Sequence, residues 1–186
     1  MLLVISSLLS LLGYLLTNKR AYRYVWHSQL DDKVPLVPIF ILPYLSLFPY
    51  IALSYLLLQS PHLTSFATTI LVCNILANIF WYFWPNGVPR LAVKNDSWSH
   101  RVINRLYKTD NDTNGFPSGH VFLSVICSYY LSLQYAALAP LFMVLGGSIA
   151  ISTVLVKQHY LVDILGGLIF AGLSLWMSQY LMSGIL

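Results

Sequence analysis

The chain has 186 residues, of which 58% are hydrophobic and only 9% charged, with a formal net charge of +4. A water-soluble domain carries roughly 25% charged residues. This chain has too few to coat a globule of its size, which excludes an ordinary soluble domain and points to a bilayer as its solvent.

A membrane helix needs about 20 mostly apolar residues. In chain order the first apolar segment is 1–16. It has no charged region before it and no small-residue cleavage site, so it reads as a retained helix rather than a secretory signal. A polar connection with Lys19, Arg20, Arg23, Asp31, Asp32 and Lys33 follows. The segments 36–58 and 66–84 are predicted as the second and third helices, joined by a short link over 59–65. A long polar connection over 85–117 carries Arg90, Lys94, Asp96, Arg101, Arg105, Lys108, Asp110 and Asp112, and long connections of this kind are often functional. Segments 121–134 and 136–156 form a tight helical pair, and 160–182 closes the chain, with Lys157 and Asp163 at its start. Cys73 and Cys127 both fall inside apolar segments, far apart, and make no disulfide framework.

The expectation is an all-α, polytopic membrane helix bundle of about six transmembrane helices, forming a single domain over 1–186. In such a serpentine the three charged connections share one membrane face. The other face carries no charged side chain, and the sequence has no Glu at all. Trp26, Trp81, Trp84 and Trp98 lie toward the charged face, where interfacial anchors belong. Charge asymmetry alone reports topology as well as chemistry, because Lys and Arg accumulate in cytoplasmic loops for insertion reasons.

Convergent chemistry separates the two. His159 and Asp163 are four residues apart, which on a helix places them on one face. A carboxylate there holds one imidazole nitrogen as a donor and leaves the other with a free lone pair, as a nucleophilic or basic histidine requires. Pro117, Ser118 and Gly119 stand at a helix start, where unpaired N–H groups and the Ser118 hydroxyl suit an anion. His120 follows and is placed to give a proton to a leaving oxygen. Arg90 brings a planar fork for phosphate oxygens, and Lys157 a point charge two residues before His159. Together these side chains match phosphoryl transfer through a histidine intermediate. No Gly-rich nucleotide loop is present, and no nucleic-acid partner is expected. His27, His62 and His100 fall outside the set.

These stretches resemble the type 2 phosphatidic acid phosphatase superfamily, whose motifs are K-x6-R-P, P-S-G-H and S-R-x5-H-x3-D. The second is whole, from Pro117 to His120. The third keeps its spacing as Ser152-Thr153, five residues, His159, three residues, Asp163. The first survives as Arg90. Phe83 stands where the motif has Lys, Leu91 where it has Pro, and Thr153 where it has Arg. The resemblance implies a metal-independent, cofactor-free lipid phosphatase of the cell membrane, its active face away from the cytosol, against the charge rule. Its substrate would be a phospholipid or polyprenyl phosphate, either a phosphomonoester or a pyrophosphate. His159 would attack phosphorus, Asp163 orient it and His120 protonate the leaving group. Arg90, Ser118, Gly119 and Lys157 would hold the phosphate. The Lys157-Gln158-His159-Tyr160 run also looks like a branch of inositol-phosphoryl and sphingolipid headgroup transferases, which pass a phospho-headgroup to an alcohol. A non-catalytic lipid-binding or transport protein that kept the fold, and a metal hydrolase using His120, His159 and Asp163, are the remaining alternatives.

Overall fold

The computed structural model describes residues 12–91 and 97–184. After helical turns over 12–18 come α1 (Gln29–Lys33), a 3₁₀ turn (Pro38–Phe40), α2 (Ile41–Leu45), α3 (Leu47–Leu57), α4 (His62–Phe83) and α5 (Trp98–Thr109). α6 (Gly119–Gln134), a second 3₁₀ turn (Ala136–Leu138), α7 (Ala139–Leu155) and α8 (Leu161–Ser183) complete the chain. Among the described residues there is no strand, and two isolated bridges pair Tyr24 with Asn86 and Gly87 with Thr113.

Among the described residues four segments are long and apolar enough to cross a membrane: Pro38–Leu57, His62–Phe83, Ala136–Leu155 and Leu161–Ser183. Most of the expected span 1–16 lies outside the described residues. The expected span 121–134 is a helix, but α6 has 16 residues, about 24 Å at 1.5 Å per residue, short of a hydrocarbon core of about 30 Å. Its position explains this. α6 is the central helix, packed against α3, α4, α7 and α8 and buried along its length from Val121 to Leu131. It meets other helices more than lipid, which also explains its Ser124 and Ser128. Ser128 Oγ donates to the Phe142 carbonyl of α7 at 2.9 Å and meets Tyr50 Oη of α3 at 3.0 Å.

The expected helix 36–58 is broken at Ser46 into α2 and α3. Pro49 accounts for the break: it has no N–H, and its ring crowds the carbonyl four residues earlier. Trp81, expected as an interfacial anchor, is buried in the main core with its ring edge-on to Tyr14. Trp84 and Trp98 are about half exposed, as anchors are.

The charged connections meet at one end of the bundle. Arg23 N–H donates to the Pro85 carbonyl, Gly87 N–H to Tyr24, Val88 N–H to Asp112, and Val37 N–H to Leu155. The short links meet at the other end, where the Gln134 side chain bonds both Gln59 N–H and the Leu57 carbonyl. α5 lies against the charged end, with Ile103 buried against Ile41, Tyr44 and Val156, and Arg101, Arg105 and Lys108 on the outer side.

Asp31 ties this end together. One carboxylate oxygen accepts Ser28 N–H at 2.8 Å and Ser28 Oγ–H at 2.7 Å; the other accepts Leu161 N–H at 2.8 Å, capping α8 from 130 residues away. Burial pushes this carboxyl up, but the Leu161 and Ser28 donors outweigh it and hold it below its ordinary value of 3.8. A depressed carboxyl stabilises the fold above its unfolded value and loses that stabilisation as pH falls through the folded one. Asp31→Asn is therefore expected to lower stability near neutrality by about 1–3 kcal/mol. The gap to the native chain should close in acid below pH 3.8, as tryptophan-fluorescence melts in detergent would show.

Candidate active site

The candidate side chains sit where α6 and α8 begin. Ser118 N–H donates to the Asp163 carbonyl at 3.1 Å, joining the start of α6 to the first turn of α8. Gly167 permits this: a Cβ there would lie 2.6 Å from Val121 Cβ, so only glycine lets α8 approach so closely. Asn86 fixes the same helix start from the other side. Its amide donates to the Phe116 carbonyl at 2.9 Å and accepts Phe116 N–H at 2.5 Å. It is buried, and nothing in the sequence motifs singled it out.

His159 enters from the turn after α7. The Thr153 carbonyl accepts both Gln158 N–H at 2.9 Å and His159 N–H at 3.1 Å. Thr153 Oγ donates to Ala150, so the position that carries Arg in the motif serves the helix itself. Lys157 takes the left-handed conformation (φ 55°) within this turn. Its ammonium donates to the carbonyls of Asp31, at 2.9 Å, and Val34. Lys157 thus closes the end of α1; it is absent from the lining of the cavity shared by His120 and His159, but with Asp31 and Val34 it lines a second cavity, of about 310 Å³, on which His159 also borders.

His159 Nδ1 and Asp163 Oδ2 are 3.3 Å apart, with the His159 side chain 8% and the Asp163 side chain 2% exposed. The same carboxylate oxygen accepts Tyr160 N–H at 2.9 Å, so α8's own cap holds it in place. The ring of His120 lies 6.4 Å from that of His159, centre to centre, and stacks on Tyr44 at 3.9 Å. His120 Nε2 is buried with no protein partner. Gly119, His120, Gln158, His159 and Arg90 line one cavity of about 520 Å³. Its deeper wall is apolar, from Leu47, Phe48 and Ile51 of α3, Ile70 of α4 and Leu123 of α6.

Arg90 lies at the polar end. Its guanidinium donates to the Asn111 carbonyl at 2.8 Å and the Gln158 carbonyl at 3.3 Å, faces Asp110 at 3.5 Å, and lies 5.5 Å over the Tyr107 ring. Burial pushes the Tyr107 phenol up to about 12, so the ring under this cation stays neutral. Arg90 Nε is buried without a partner, as is Ser118 Oγ. Ser118 spends its N–H on Asp163, so the donors left for an anion at this helix start belong to the first turn beyond it.

Phe83 is exposed at the end of α4, well away from the role its position has in the motif. His27 pairs with Asp32 at 2.8 Å and His100 with Ser97 at 2.5 Å, so neither joins the set. His62 begins α4 at the opposite end of the bundle. Among the described residues no three His, Cys, Asp or Glu side chains cluster as metal ligands would.

The arrangement offers a carboxylate-oriented imidazole, a second imidazole across a small gap, a guanidinium and a helix start, all above an apolar slot. Neither a curated protein nor a solved structure matches the chain significantly. A family model described as PAP2 superfamily does match, over residues 4–177. With nearly the whole chain covered, this protein belongs to the PAP2 superfamily.

Proposed function

We propose that the protein is an integral-membrane lipid phosphatase in which His159 carries the phosphoryl group. The observation that carries this reading is the His159–Asp163 pair, 3.3 Å apart, facing the same cavity as His120. Asp163 takes the Nδ1–H, which leaves the Nε2 lone pair to attack phosphorus. The P–O bond to the lipid breaks as the N–P bond forms, and His120 gives its proton to the departing oxygen. Water then enters the vacated position, His120 takes its proton, and the phosphohistidine is cleaved to free phosphate. Arg90 and the first turn of α6 hold the phosphoryl oxygens. The apolar wall below suits the tail of a phospholipid or polyprenyl phosphate. The cell membrane, with the site on its non-cytosolic face, is the setting this reading takes from the family.

One observation favours a second reading, transfer of a phospho-headgroup to an alcohol. Arg90 is the only Lys or Arg among the described residues that line the cavity, and it already faces Asp110. So little positive charge suits a phosphodiester donor better than a doubly charged monoester.

A phosphate-release screen of the purified protein across lipid phosphomonoesters, pyrophosphates and phosphodiesters, with chelator throughout and labelled alcohols as acceptors, tests both readings. Chelator-resistant release of phosphate is the expected outcome. A new labelled lipid with no free phosphate would establish the second reading, and no turnover of any substrate would overturn both.

A further inference from the structure

We infer that Gln158 is a phosphate-binding residue, a neutral donor that works where the family uses cations; this rests on the phosphoryl-transfer reading above. The buried polar atoms without a protein partner include, besides Trp81 Nε1 on the same cavity and two more elsewhere, these four: Arg90 Nε, Ser118 Oγ, His120 Nε2 and Gln158 Nε2. Three of these belong to the motif residues. The fourth belongs to a side chain that is 3% exposed and lines the same cavity as His120 and His159. A primary amide left unsatisfied in an interior costs free energy, and native proteins seldom leave one so. An anion seated between the two histidines would satisfy it.

Neighbouring residues make the assignment specific. The three places where a cation might stand are otherwise engaged. Phe83 is outside the site, Thr153 bonds its own helix, and the Lys157 ammonium serves the Asp31 and Val34 carbonyls. Arg90 shares its charge with Asp110. The Gln158 backbone carbonyl accepts from Arg90 Nη1 at 3.3 Å, which ties the guanidinium to the turn that carries the Gln158 side chain. Gln158 precedes His159 in the turn pinned by the Thr153 carbonyl, and both residues line the same cavity. The outcome is a phosphate cradle of one guanidinium and several neutral donors.

Gln158→Met keeps the length and removes the amide. In the free protein it deletes an unsatisfied donor, so the melting temperature should stay the same or rise. Binding of orthovanadate, followed by ligand-dependent melting in detergent, should weaken roughly ten- to hundredfold, and kcat/KM for a short-chain phosphomonoester should fall by a similar factor. Gln158→Glu, which puts a carboxylate against the anion, should lose more. Native-level vanadate affinity in Gln158→Met would overturn the assignment. A lowered melting temperature with unchanged affinity would also overturn it, because Gln158 would then be structural. Failure of the native chain to bind vanadate or turn over any phosphate would overturn the phosphoryl-transfer reading itself, and this inference with it.

Discussion

His159→Ala is expected to remove phosphate release altogether, with a fall of roughly ten-thousandfold or more, because no other group can form the covalent intermediate. The size of the effect follows from the geometry. His120 is the nearest imidazole, but its ring lies 6.4 Å away, stacked on Tyr44, and no carboxylate among the described residues bonds to it. It cannot take over nucleophilic attack while also serving as acid. The fold should survive, since His159 reaches its neighbours mainly through one backbone bond to Thr153 and one side-chain bond to Asp163. Turnover and thermal melting measured on the same detergent preparation would check both halves. Retention of near-native turnover by a folded His159→Ala protein would rule out the phosphohistidine route.

Asp163→Asn is expected to cost roughly a hundred- to ten-thousandfold in turnover with little change in substrate affinity. The amide is nearly isosteric, so the ring can stay in place. What changes is the tautomer: an amide NH₂ facing Nδ1 favours protonation at Nε2, the nitrogen that must attack. The same oxygen position also accepts Tyr160 N–H, so loss of the carboxylate weakens the cap of α8, worth about 1 kcal/mol. Steady-state kinetics against a melting curve would separate the two effects. Asp163→Ala should add a larger stability loss, because the side chain is almost fully buried and its space would be left unfilled. If kcat were unchanged in Asp163→Asn, Asp163 would be a capping residue only.

Much of the site was legible in the linear order of residues. The i, i+4 spacing of His159 and Asp163 led directly to their hydrogen bond, since a helix brings those positions to one face whatever surrounds it. Pro117-Ser118-Gly119 read as a helix start, and α6 begins there. The four described spans follow from apolar run length, a property of the segment itself. Local reasoning did not reach partners distant in sequence. Lys157 is two residues from His159, yet a left-handed backbone turn sends its ammonium to carbonyls more than 120 residues earlier. Asp31 read as one more loop charge and proved to cap α8, a pairing set by how the charged connections fold over one another. Asn86 carried no motif signal, because its role comes from bonding a partner distant in sequence, and Gln158 read only as one member of the Lys157-Gln158-His159-Tyr160 run.

The sequence by itself determined that the chain is a membrane-embedded helical protein and which local groups act as units: the His159–Asp163 pair, the helix start at Ser118, and apolar runs long enough to span. These depend on interactions between residues a few positions apart, which backbone geometry dictates. Only the tertiary structure decided which cations line the cavity, that α6 is a central helix rather than a lipid-facing one, and that the buried Gln158 amide nitrogen has no protein partner. Those outcomes turn on competition between long-range partners for the same donor or acceptor, and on glycine-permitted close packing of α8 against α6, neither of which has a periodic signature in the chain.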